Sequence, residues 1–209
     1  MAKTEPFEKY TSQYEDWFER NRFVYESEIR AIREQLPERG QGIEIGVGSG
    51  RFAVPLGIRL GLEPSGRMRD LAQNRGIETV AGVAERLPFR DTQFDFALMV
   101  TTICFLDDVE TAFKEAYRVL RPAGHLIIGF VDKDSALGRS YQQNKNESVF
   151  YGEAIFYSVD EVNSQLKETG FRNLSFTQTV FHKLAETRET EPTREGYGEG
   201  SFVVVKAAK

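Results

Sequence analysis

The sequence predicts an α/β protein with an open sheet of about seven strands, mostly parallel, with one antiparallel edge strand and helices on both faces. Strand-like and helix-like segments alternate with short connections through residues 42–131, an order that favours a parallel sheet. Residues 94–100 are almost continuously apolar, as expected for a strand buried on both faces. Two late strand-like segments, 171–180 and 202–205, have no helical pattern between them, which predicts the antiparallel strand.

A helical segment precedes the predicted sheet. Aromatic residues recur there at three- and four-residue steps, and the pattern is interrupted near Asn21, which predicts two helices. An aromatic-rich helix over the binding edge of a sheet would exclude water and shape a substrate pocket. We assign Tyr14, Trp17 and Phe18 to such a lid. The alternative is that these side chains simply pack on the sheet.

The predicted first strand, residues 42–45, runs into three alternate glycines, Gly46, Gly48 and Gly50. Glycine can adopt positive φ and lets a ligand touch the backbone, and the free amides of the helix start that follows face the ligand. Glu63 stands 17 residues beyond the first of these glycines. This is close to the offset of about 20 at which a carboxylate binds the hydroxyl pair of a ribose. The sequence therefore predicts an adenosine-containing ligand.

The spacing of these glycines argues against a nicotinamide dinucleotide. That fingerprint, G-x-G-x-x-G, needs a third glycine where this chain has Arg51, counted from Gly46, or Ala53, counted from Gly48. The chain instead has E-x-G-x-G-x-G, beginning at Glu44. By itself this loop also fits a glycine turn in another kind of α/β protein. The remaining segments of the sequence are therefore needed to distinguish the two possibilities.

The later segments continue the alternating order and then interrupt it. Residues 83–89 form a loop at the edge where open α/β sheets bind ligands. The aspartates at 107–108 are expected to cap a helix with apolar residues at helical spacing. Residues 132–157 are interpreted as an excursion over the binding edge. Three aromatic residues of this excursion are assigned to the substrate pocket: Phe150, Tyr151 and Tyr157.

The C-terminal part is expected to contain one helix and two strands. Ser158 and Glu161 resemble a capping box at the start of the helix, and Gly170 is expected to end it. The polar residues 185–200 are predicted to form a flexible surface loop. We interpret residues 1–209 as a single domain with four parts. These parts are an N-terminal helical lid (1–40), a cofactor-binding core (41–131), a lid-like excursion (132–157), and a C-terminal helix with strands (158–209).

Composition and charge disfavour several classes of partner and site. The net charge is −5, without a block of five like charges, so nothing favours a nucleic acid or a membrane as partner. The N-terminus lacks the apolar stretch of a signal peptide, and the longest apolar run, residues 96–106, is too short to span a bilayer. Cys104 is the single cysteine, which excludes an internal disulfide and a cysteine-based metal cluster. We expect a cytoplasmic protein with no metal site, and its oligomeric state stays open.

Several segments, taken in order, resemble the class I S-adenosylmethionine-dependent methyltransferases, in the group that includes small-molecule methylating enzymes. The resemblance covers residues 41–180. It is carried by the glycine loop with Glu44, L-E-P-S at 62–65, A-E-R-L-P-F at 84–89, F-D at 94–95, E-A-Y-R-V-L-R-P-A-G at 115–124 and G-F at 170–171. The family implies a Rossmann-like fold, a methyltransferase activity and S-adenosyl-L-methionine as the cofactor.

The resemblance also implies which residues bind the cofactor. They are Glu44, Gly46, Gly48, Gly50, Glu63, Pro64, Ala84, Glu85 and Thr101. The three glycines would lie against the methionine part, and Glu63 would bind both ribose hydroxyls. Ala84 and Glu85 would flank the adenine, and Thr101 would lie near the sulfonium. Glu44 would help to hold the cofactor's ammonium group through water, or would only fix the loop.

One residue departs from the family pattern. Members often carry an aspartate, an acceptor for the adenine amino group, where this chain has Val83. Cofactor binding is therefore expected to be weaker, or shifted onto Glu85. The two histidines, His125 and His182, are expected to be structural.

The chemistry implied by the family needs little from the protein beyond alignment and dehydration. A methyl group on a sulfonium is already activated, so its transfer is an in-line displacement. No catalytic residue is demanded, and Tyr14 and Tyr151 are the candidates for a general base if the acceptor needs one. We predict methyl transfer to a small organic acceptor. The alternatives are a non-catalytic S-adenosylmethionine-binding protein and a methyltransferase acting on protein or RNA.

Overall fold

The computed structural model describes residues 3–209, and three helices precede its sheet: α1 (Glu5–Lys9), α2 (Thr11–Arg20) and α3 (Arg22–Gln35). The break between α2 and α3 falls at Asn21, as the aromatic spacing predicts. A second break lies at Tyr10, whose φ of −115° and ψ of 32° are not helical. The expectation of two helices was therefore wrong. Because the aromatic spacing continues from α1 into α2, periodicity alone could not reveal the second break.

The sheet has eight strands, numbered in chain order. They are β1 (Gly42–Ile45), β2 (Leu60–Leu62), β3 (Glu78–Val80), β4 (Phe94–Val100), β5 (Leu120–Val131), β6 (Arg172–Thr179), β7 (Arg194–Glu195) and β8 (Phe202–Ala208). Their order across the sheet is β3-β2-β1-β4-β5-β8-β6-β7. Strands β1 to β5 are all parallel to one another. This arrangement confirms the Rossmann-like, mostly parallel sheet.

The C-terminal part of the sheet adds two antiparallel strands. β8 is antiparallel to both β5 and β6 and lies between them, so it is not an edge strand. The antiparallel edge is β7, a two-residue strand paired with β6, which the sequence pattern did not predict. Val203, Val204 and Val205 of β8 are completely buried. A strand that is apolar on both faces is best accommodated inside a sheet, which explains the position of β8.

Helices cover both faces of the sheet. The helices that follow β1 are α4 (Ala53–Leu56), α5 (Gly66–Asn74), α6 (Val109–Val119), α7 (Ala136–Gln143) and α8 (Val159–Thr169). Met99 packs with α6 and α8 in one core, and Leu98 packs with α3, α4 and α5 in the other. Neighbouring residues of a strand point to opposite faces. The central strand β4 is therefore buried on both sides, as its apolar run predicts. Within residues 3–209, no helix has both the length and the apolarity needed to cross a membrane.

Helix α8 begins and ends as the sequence predicts. The Ser158 hydroxyl accepts a hydrogen bond from the Glu161 amide over 3.2 Å, and the Glu161 carboxylate accepts one from the Ser158 amide over 2.8 Å. These reciprocal bonds form the capping box. Gly170 ends the helix with a φ of 111°, a conformation that favours glycine.

The polar residues 185–200 are anchored to the rest of the fold. Glu191 is buried, and its carboxylate accepts hydrogen bonds from the backbone amides of Phe181 and His182. Its own backbone amide donates to the hydroxyl of Ser27 in α3 over 2.8 Å. Most of the segment is exposed, as expected for a surface loop, but this anchoring disagrees with the expectation that the loop is flexible. A buried carboxylate that satisfies two amides holds the segment in place, and composition alone could not show that it would be buried.

Candidate active site

The glycine loop follows the carboxyl end of β1. Gly46 and Gly48 have φ values of 74° and 54°, in the left-handed region that favours glycine. A Cβ atom at Gly46 would lie 2.5 Å from a side-chain carbon of Thr102, so no larger residue fits there. The Thr102 hydroxyl lies 3.3 Å and 3.0 Å from the carbonyl oxygens of Ile45 and Val100, to which it can donate. The loop is thus held close to the end of β4.

Glu63 stands just past the end of β2 and is almost completely buried. One of its carboxylate oxygens accepts a hydrogen bond from the Gly48 amide and the other accepts one from the Ser65 amide, each over 2.9 Å. Burial raises the pKa of this carboxyl, although the two amides oppose the shift. Each oxygen keeps a further lone pair. Glu63 can therefore accept hydrogen bonds from two adjacent hydroxyl groups.

Glu44 and Gly50 support the loop from behind. Glu44 is 1% exposed, and its Oε2 atom has no hydrogen-bond partner within residues 3–209. Burial, with a contribution from nearby Glu63, raises the pKa of Glu44 well above its ordinary value. Gly50 has a φ of 83° and lies beside Ala72 of α5, where a Cβ atom would be 3.5 Å from that residue. Both therefore lie behind the cavity wall that the other loop glycines form.

A cleft lies between the glycine loop, the end of β2 and the segment after β4, and we call it the glycine-loop cleft. Seven of the nine predicted cofactor-binding residues line it: Gly46, Gly48, Glu63, Pro64, Ala84, Glu85 and Thr101. Side chains that the sequence did not indicate also line it, among them Lys3 and Thr4 near the N-terminus and Met68 of α5. Spacing within the core segments carries no information about these more distant contributions.

Val83, the position that departs from the family pattern, lies in the wall of the glycine-loop cleft. The neighbouring Glu85 accepts hydrogen bonds at one carboxylate oxygen from the backbone amides of Asp107 and Asp108, over 2.9 Å and 3.3 Å. Its carboxylate therefore stabilises the turn before α6. This engagement disfavours the expected transfer of an adenine contact onto the Glu85 side chain.

Helix α2 is tied to the glycine loop by ion pairs. Glu15 accepts a hydrogen bond from Arg51 Nε over 2.9 Å and also pairs with Arg75. Arg75 in turn donates to the backbone carbonyl of Ser49 over 2.6 Å. The Tyr14 hydroxyl, one residue earlier in α2, lies 3.0 Å from the place that a Cβ atom at Gly48 would occupy. The N-terminal helices consequently cover the loop.

A second cavity, of about 880 Å³, adjoins the cleft, and we call it the aromatic cavity. Five of the six residues predicted for a substrate pocket line it: Tyr14, Trp17, Phe18, Phe150 and Tyr151. Four residues line both the aromatic cavity and the glycine-loop cleft: Phe7, Tyr14, Thr101 and Phe105. The two spaces therefore share a wall beside Thr101, the first residue past the central strand.

Tyr157 is the predicted pocket residue that the structure places elsewhere. It lines a small neighbouring cavity with Cys104 and Phe130, which shares Tyr141 and Tyr151 with the aromatic cavity. Its ring packs against the core that contains α6 and α8. Its backbone carbonyl accepts a hydrogen bond from the Lys133 amide over 3.0 Å. The chain has therefore returned to the end of β5 by residue 157. Proximity in sequence to Tyr151 could not reveal this return.

The two tyrosines predicted as candidate bases are buried. Burial raises the pKa of the Tyr14 and Tyr151 hydroxyls far above the ordinary value for a phenol. Both stay protonated at neutral pH, so they can donate a hydrogen bond but cannot take up a proton. This disfavours a general-base role. His125 lies on β5, and His182 pairs with Glu191 over 3.0 Å, placements consistent with structural roles.

Among the residues of the aromatic cavity that sequence reasoning missed are Glu28 and Tyr141. Glu28 of α3 is 4% exposed, and burial raises the pKa of its carboxyl to about 8. Tyr141 of α7 stacks on Tyr151, with ring centres 4.8 Å apart. A signal for Glu28 did exist. It lies midway between Val24 and Ile32 at four-residue steps, on a helix face whose other members are apolar.

Comparisons with known proteins agree with this geometry. A family model described as a methyltransferase domain matches residues 43–128. A crystal structure from Thermotoga maritima, described as a SAM-dependent methyltransferase and possible histamine N-methyltransferase, is 51% identical, with a TM-score of 0.97 and 99% of both chains covered. An uncharacterized protein of Methanocaldococcus jannaschii is 44% identical over 203 residues, which are 97% of this chain and 98% of the relative.

A more distant relative has a named reaction. The ubiquinone/menaquinone biosynthesis C-methyltransferase UbiE of Rickettsia felis is 31% identical over 126 residues, which are 51% of this chain and 51% of the relative. The near-complete match to the Thermotoga structure extends the family assignment over the whole chain. S-Adenosyl-L-methionine is accordingly the cofactor of this protein. From the glycine loop, the fold and these matches, the chain belongs to the S-adenosylmethionine-dependent methyltransferases.

Proposed function

We propose that this protein transfers the methyl group of S-adenosylmethionine to a small organic acceptor held in the aromatic cavity. The observation that carries the proposal is the wall shared by the glycine-loop cleft and the aromatic cavity, to which Phe7, Tyr14, Thr101 and Phe105 contribute. A donor in the cleft and an acceptor in the cavity would meet at this wall.

The residues of the cleft fit the cofactor. Gly46 and Gly48 present backbone without side chains, which leaves room for the methionine part. The two free lone pairs of Glu63 suit the adjacent hydroxyls of the ribose. Glu44 lies behind the loop and does not line the cleft, which favours the alternative that it only fixes the loop. Ala84 is small and lies in the wall where the adenine would stack.

The cofactor supplies a methyl group on a positively charged sulfur, which is already activated toward a nucleophile. The protein's contribution is then to align the acceptor and to exclude water. Alignment alone can lower a barrier by roughly 7–11 kcal/mol. Trp17, Phe18 and Phe150 give the aromatic cavity apolar walls suited to both tasks. Tyr14, at the shared wall, can donate a hydrogen bond to a group placed there.

The size and walls of the aromatic cavity support a small acceptor. The relatives differ in the atom named in their descriptions: the Thermotoga protein is described as a possible N-methyltransferase and the Rickettsia protein as a C-methyltransferase. Family membership therefore leaves the methylated atom open. A binding protein without turnover is the alternative that the turnover experiment separates.

The test begins with calorimetric titration of the protein with S-adenosylhomocysteine. We expect micromolar binding and no response to NAD. In Glu63→Ala, two hydrogen bonds to a charged group are lost, each worth about 1.5–3 kcal/mol, so affinity should fall by at least about 100-fold. Glu78→Ala, at an exposed glutamate on β3, is the matched control and should bind as the parent protein does. Circular dichroism checks that the variants are folded.

Turnover is then measured with methyl-labelled S-adenosylmethionine and pools of small amines, phenols and carbon acids. Transfer of label to one pool, lost in Glu63→Ala and kept in Glu78→Ala, is the expected result. No binding of S-adenosylhomocysteine would reject the proposal. Tight binding without transfer to any pool, including protein and RNA extracts, would favour the non-catalytic alternative.

A further inference from the structure

One buried carboxyl group faces the aromatic cavity. Glu28 of α3 lines this cavity and is only 4% exposed. Within residues 3–209, no hydrogen bond or ion pair to its side chain is found. The other three acidic residues that line the cavity, Asp16, Glu19 and Glu147, are exposed to solvent. Glu28 is therefore the buried acid among the described residues that line this cavity, and aromatic side chains share the lining with it.

An unpaired buried carboxyl is unfavourable for the free protein. Taking such a group out of water without a partner costs stability, and the cost is greatest when the group is ionised. Burial accordingly raises the pKa of Glu28 to about 8, so the group is mostly protonated at neutral pH in the free protein. A buried carboxyl that lacks a partner and faces a cavity fits a group whose partner is a ligand.

The surroundings of Glu28 favour a cation as that partner. Tyr141 and Tyr151 line the same cavity, stack on each other, and are close enough to Glu28 for its charge to affect their pKa values. Tyr25 on the same helix is similarly affected. Aromatic rings attract cations through their faces, but the stacked faces of Tyr141 and Tyr151 are closed to a cation, so these two rings contribute little. Among the described residues that line the cavity, Arg20 is the one cation, and the exposed acids are Asp16, Glu19 and Glu147, of which Glu19 is paired with Arg51. The charge around the cavity is therefore slightly negative before Glu28 ionises.

We propose that Glu28 determines acceptor specificity by binding a positively charged nitrogen, which makes the acceptor a small aromatic amine. The protonated nitrogen paired with Glu28 has no lone pair, so the methyl group goes to a second nucleophilic atom of the acceptor. This proposal rests on the proposed function and names the substrate class of the same site. When the ammonium group enters, the Glu28 carboxyl releases its proton to solvent and the resulting carboxylate pairs with the cation. The rings of Trp17, Phe18 and Phe150 pack on the apolar body of the acceptor.

The test compares three amines with the alcohols of the same shape. Benzylamine, 2-phenylethylamine and 3-phenylpropylamine, and the three corresponding alcohols, are titrated calorimetrically at pH 7 into protein saturated with S-adenosylhomocysteine. We expect at least one amine to bind at least tenfold more tightly than its alcohol. Each titration is repeated in phosphate and in Tris, whose ionisation enthalpies differ. Nearly one proton should be released per amine bound, because a carboxyl with a pKa of about 8 must ionise.

Glu28→Gln removes the charge and keeps the shape of the side chain. In this variant the preferred amine should bind at least tenfold more weakly, its proton release should disappear, and the alcohols should bind as before. Glu147→Gln removes a charge from an exposed position on the same cavity and is the matched control. It should change amine affinity by less than about twofold, in line with the small contribution of exposed charges.

The affinity for S-adenosylhomocysteine separates this inference from the proposed function. If the parent protein does not bind it, the proposed function fails, and the amines are then titrated into the protein alone. The inference about Glu28 is overturned if no amine binds, if amines and alcohols bind equally, or if Glu28→Gln keeps the amine affinity and the proton release of the parent. Equal weakening of amines and alcohols in Glu28→Gln would indicate a structural role and would also reject it.

Discussion

Two carboxyl groups, those of Glu28 and Glu44, are buried on the same side of the molecule but differ in what they face. Glu44 lies behind the glycine loop with one unpartnered oxygen, and its pKa is raised by burial and by Glu63. Glu28 faces the aromatic cavity, and its pKa is raised by burial alone. The titration of Glu28 can therefore be tested without disturbing the glycine loop.

The free energy of unfolding of Glu28→Gln, compared with that of the parent, should be more favourable at pH 8 than at pH 5. In the parent, the pKa of Glu28 is about 8 in the folded state and 4.5 in the unfolded state. As the pH rises, the Glu28 carboxyl therefore loses its proton in the unfolded chain before it does so in the folded protein. Stability is consequently lost as the pH rises through this window. Between pH 5 and pH 8, the difference in free energy of unfolding between variant and parent should grow by a few kcal/mol, on the order of 1.4 kcal/mol per pKa unit.

Urea unfolding at pH 5, 6, 7 and 8 measures this difference. Other buried acids titrate in both proteins, so the comparison isolates Glu28. Glu147→Gln is the control, since this exposed side chain should give a constant difference across the range. A pH-independent difference for Glu28→Gln would mean that the Glu28 carboxyl titrates normally in the folded protein.

At the scale of elements, α1 and α2 form a cover that is fastened to the glycine loop and to α5. Glu8 of α1 accepts a hydrogen bond from the Gly66 amide, at the start of α5, over 2.6 Å. Glu15 of α2 lies between Arg51 and Arg75. Burial opposes ionisation of Glu15, but hydrogen bonds with both arginines outweigh it, so its pKa lies below the ordinary value. The ion pairs therefore persist at neutral pH.

Replacing Glu15 by Gln should accelerate the association of S-adenosylhomocysteine. Opening the cover requires the pairs of Glu15 to break, and removal of these partly buried pairs should lower that barrier by on the order of 1 kcal/mol, or roughly fivefold in rate. Trp17 is the single tryptophan and lies on α2, so stopped-flow fluorescence reports directly on the cover. Glu19→Gln is the matched control, because Glu19 pairs with Arg51 from an exposed position. Identical association rates in all three proteins would show that the cover does not limit entry.

At the scale of the whole molecule, α3 and the segment between β6 and β7 meet beside the aromatic cavity. Glu191 in the C-terminal segment is joined through its backbone amide to Ser27, the residue before Glu28. Thr190 donates to Glu26 on the same helix over 2.9 Å. Leu184, from the segment after β6, lines the aromatic cavity. The position of α3 is thus fixed by a segment more than 150 residues away.

Replacing Glu191 by Ala should lower the free energy of unfolding by about 1–3 kcal/mol, because the amides of Phe181 and His182 lose their acceptor. Urea denaturation measures the change, and the slope of the transition should stay constant if only stability is affected. Glu189→Ala, an exposed neighbour in the same segment, should change stability by less than about 0.5 kcal/mol. Equal stability of both variants would mean that the segment is not anchored through Glu191.

The order of β1 to β5 and the glycine loop could be predicted from the sequence because local patterns specify them. Gly46, Gly48 and Glu63 have fixed spacing within one strand-loop-strand unit, and the structure brings them to one cleft. The insertion of β8 between β5 and β6 depends on pairing across more than 70 residues, which no local pattern encodes. Glu28 escaped prediction for a related reason: helical spacing identifies a face but does not tell how deeply that face is buried.

The wall shared by the two cavities has a kinetic consequence. Phe7 and Tyr14 belong to the cover and line both spaces, so the pocket proposed for the acceptor is complete only while the cover is closed. Under the proposed function, substrates would then bind in a compulsory order, with the donor first and the acceptor second. The methylated product would leave before the spent donor. The spent donor would therefore compete with fresh donor for the free enzyme, and its departure would limit how soon the next cycle begins.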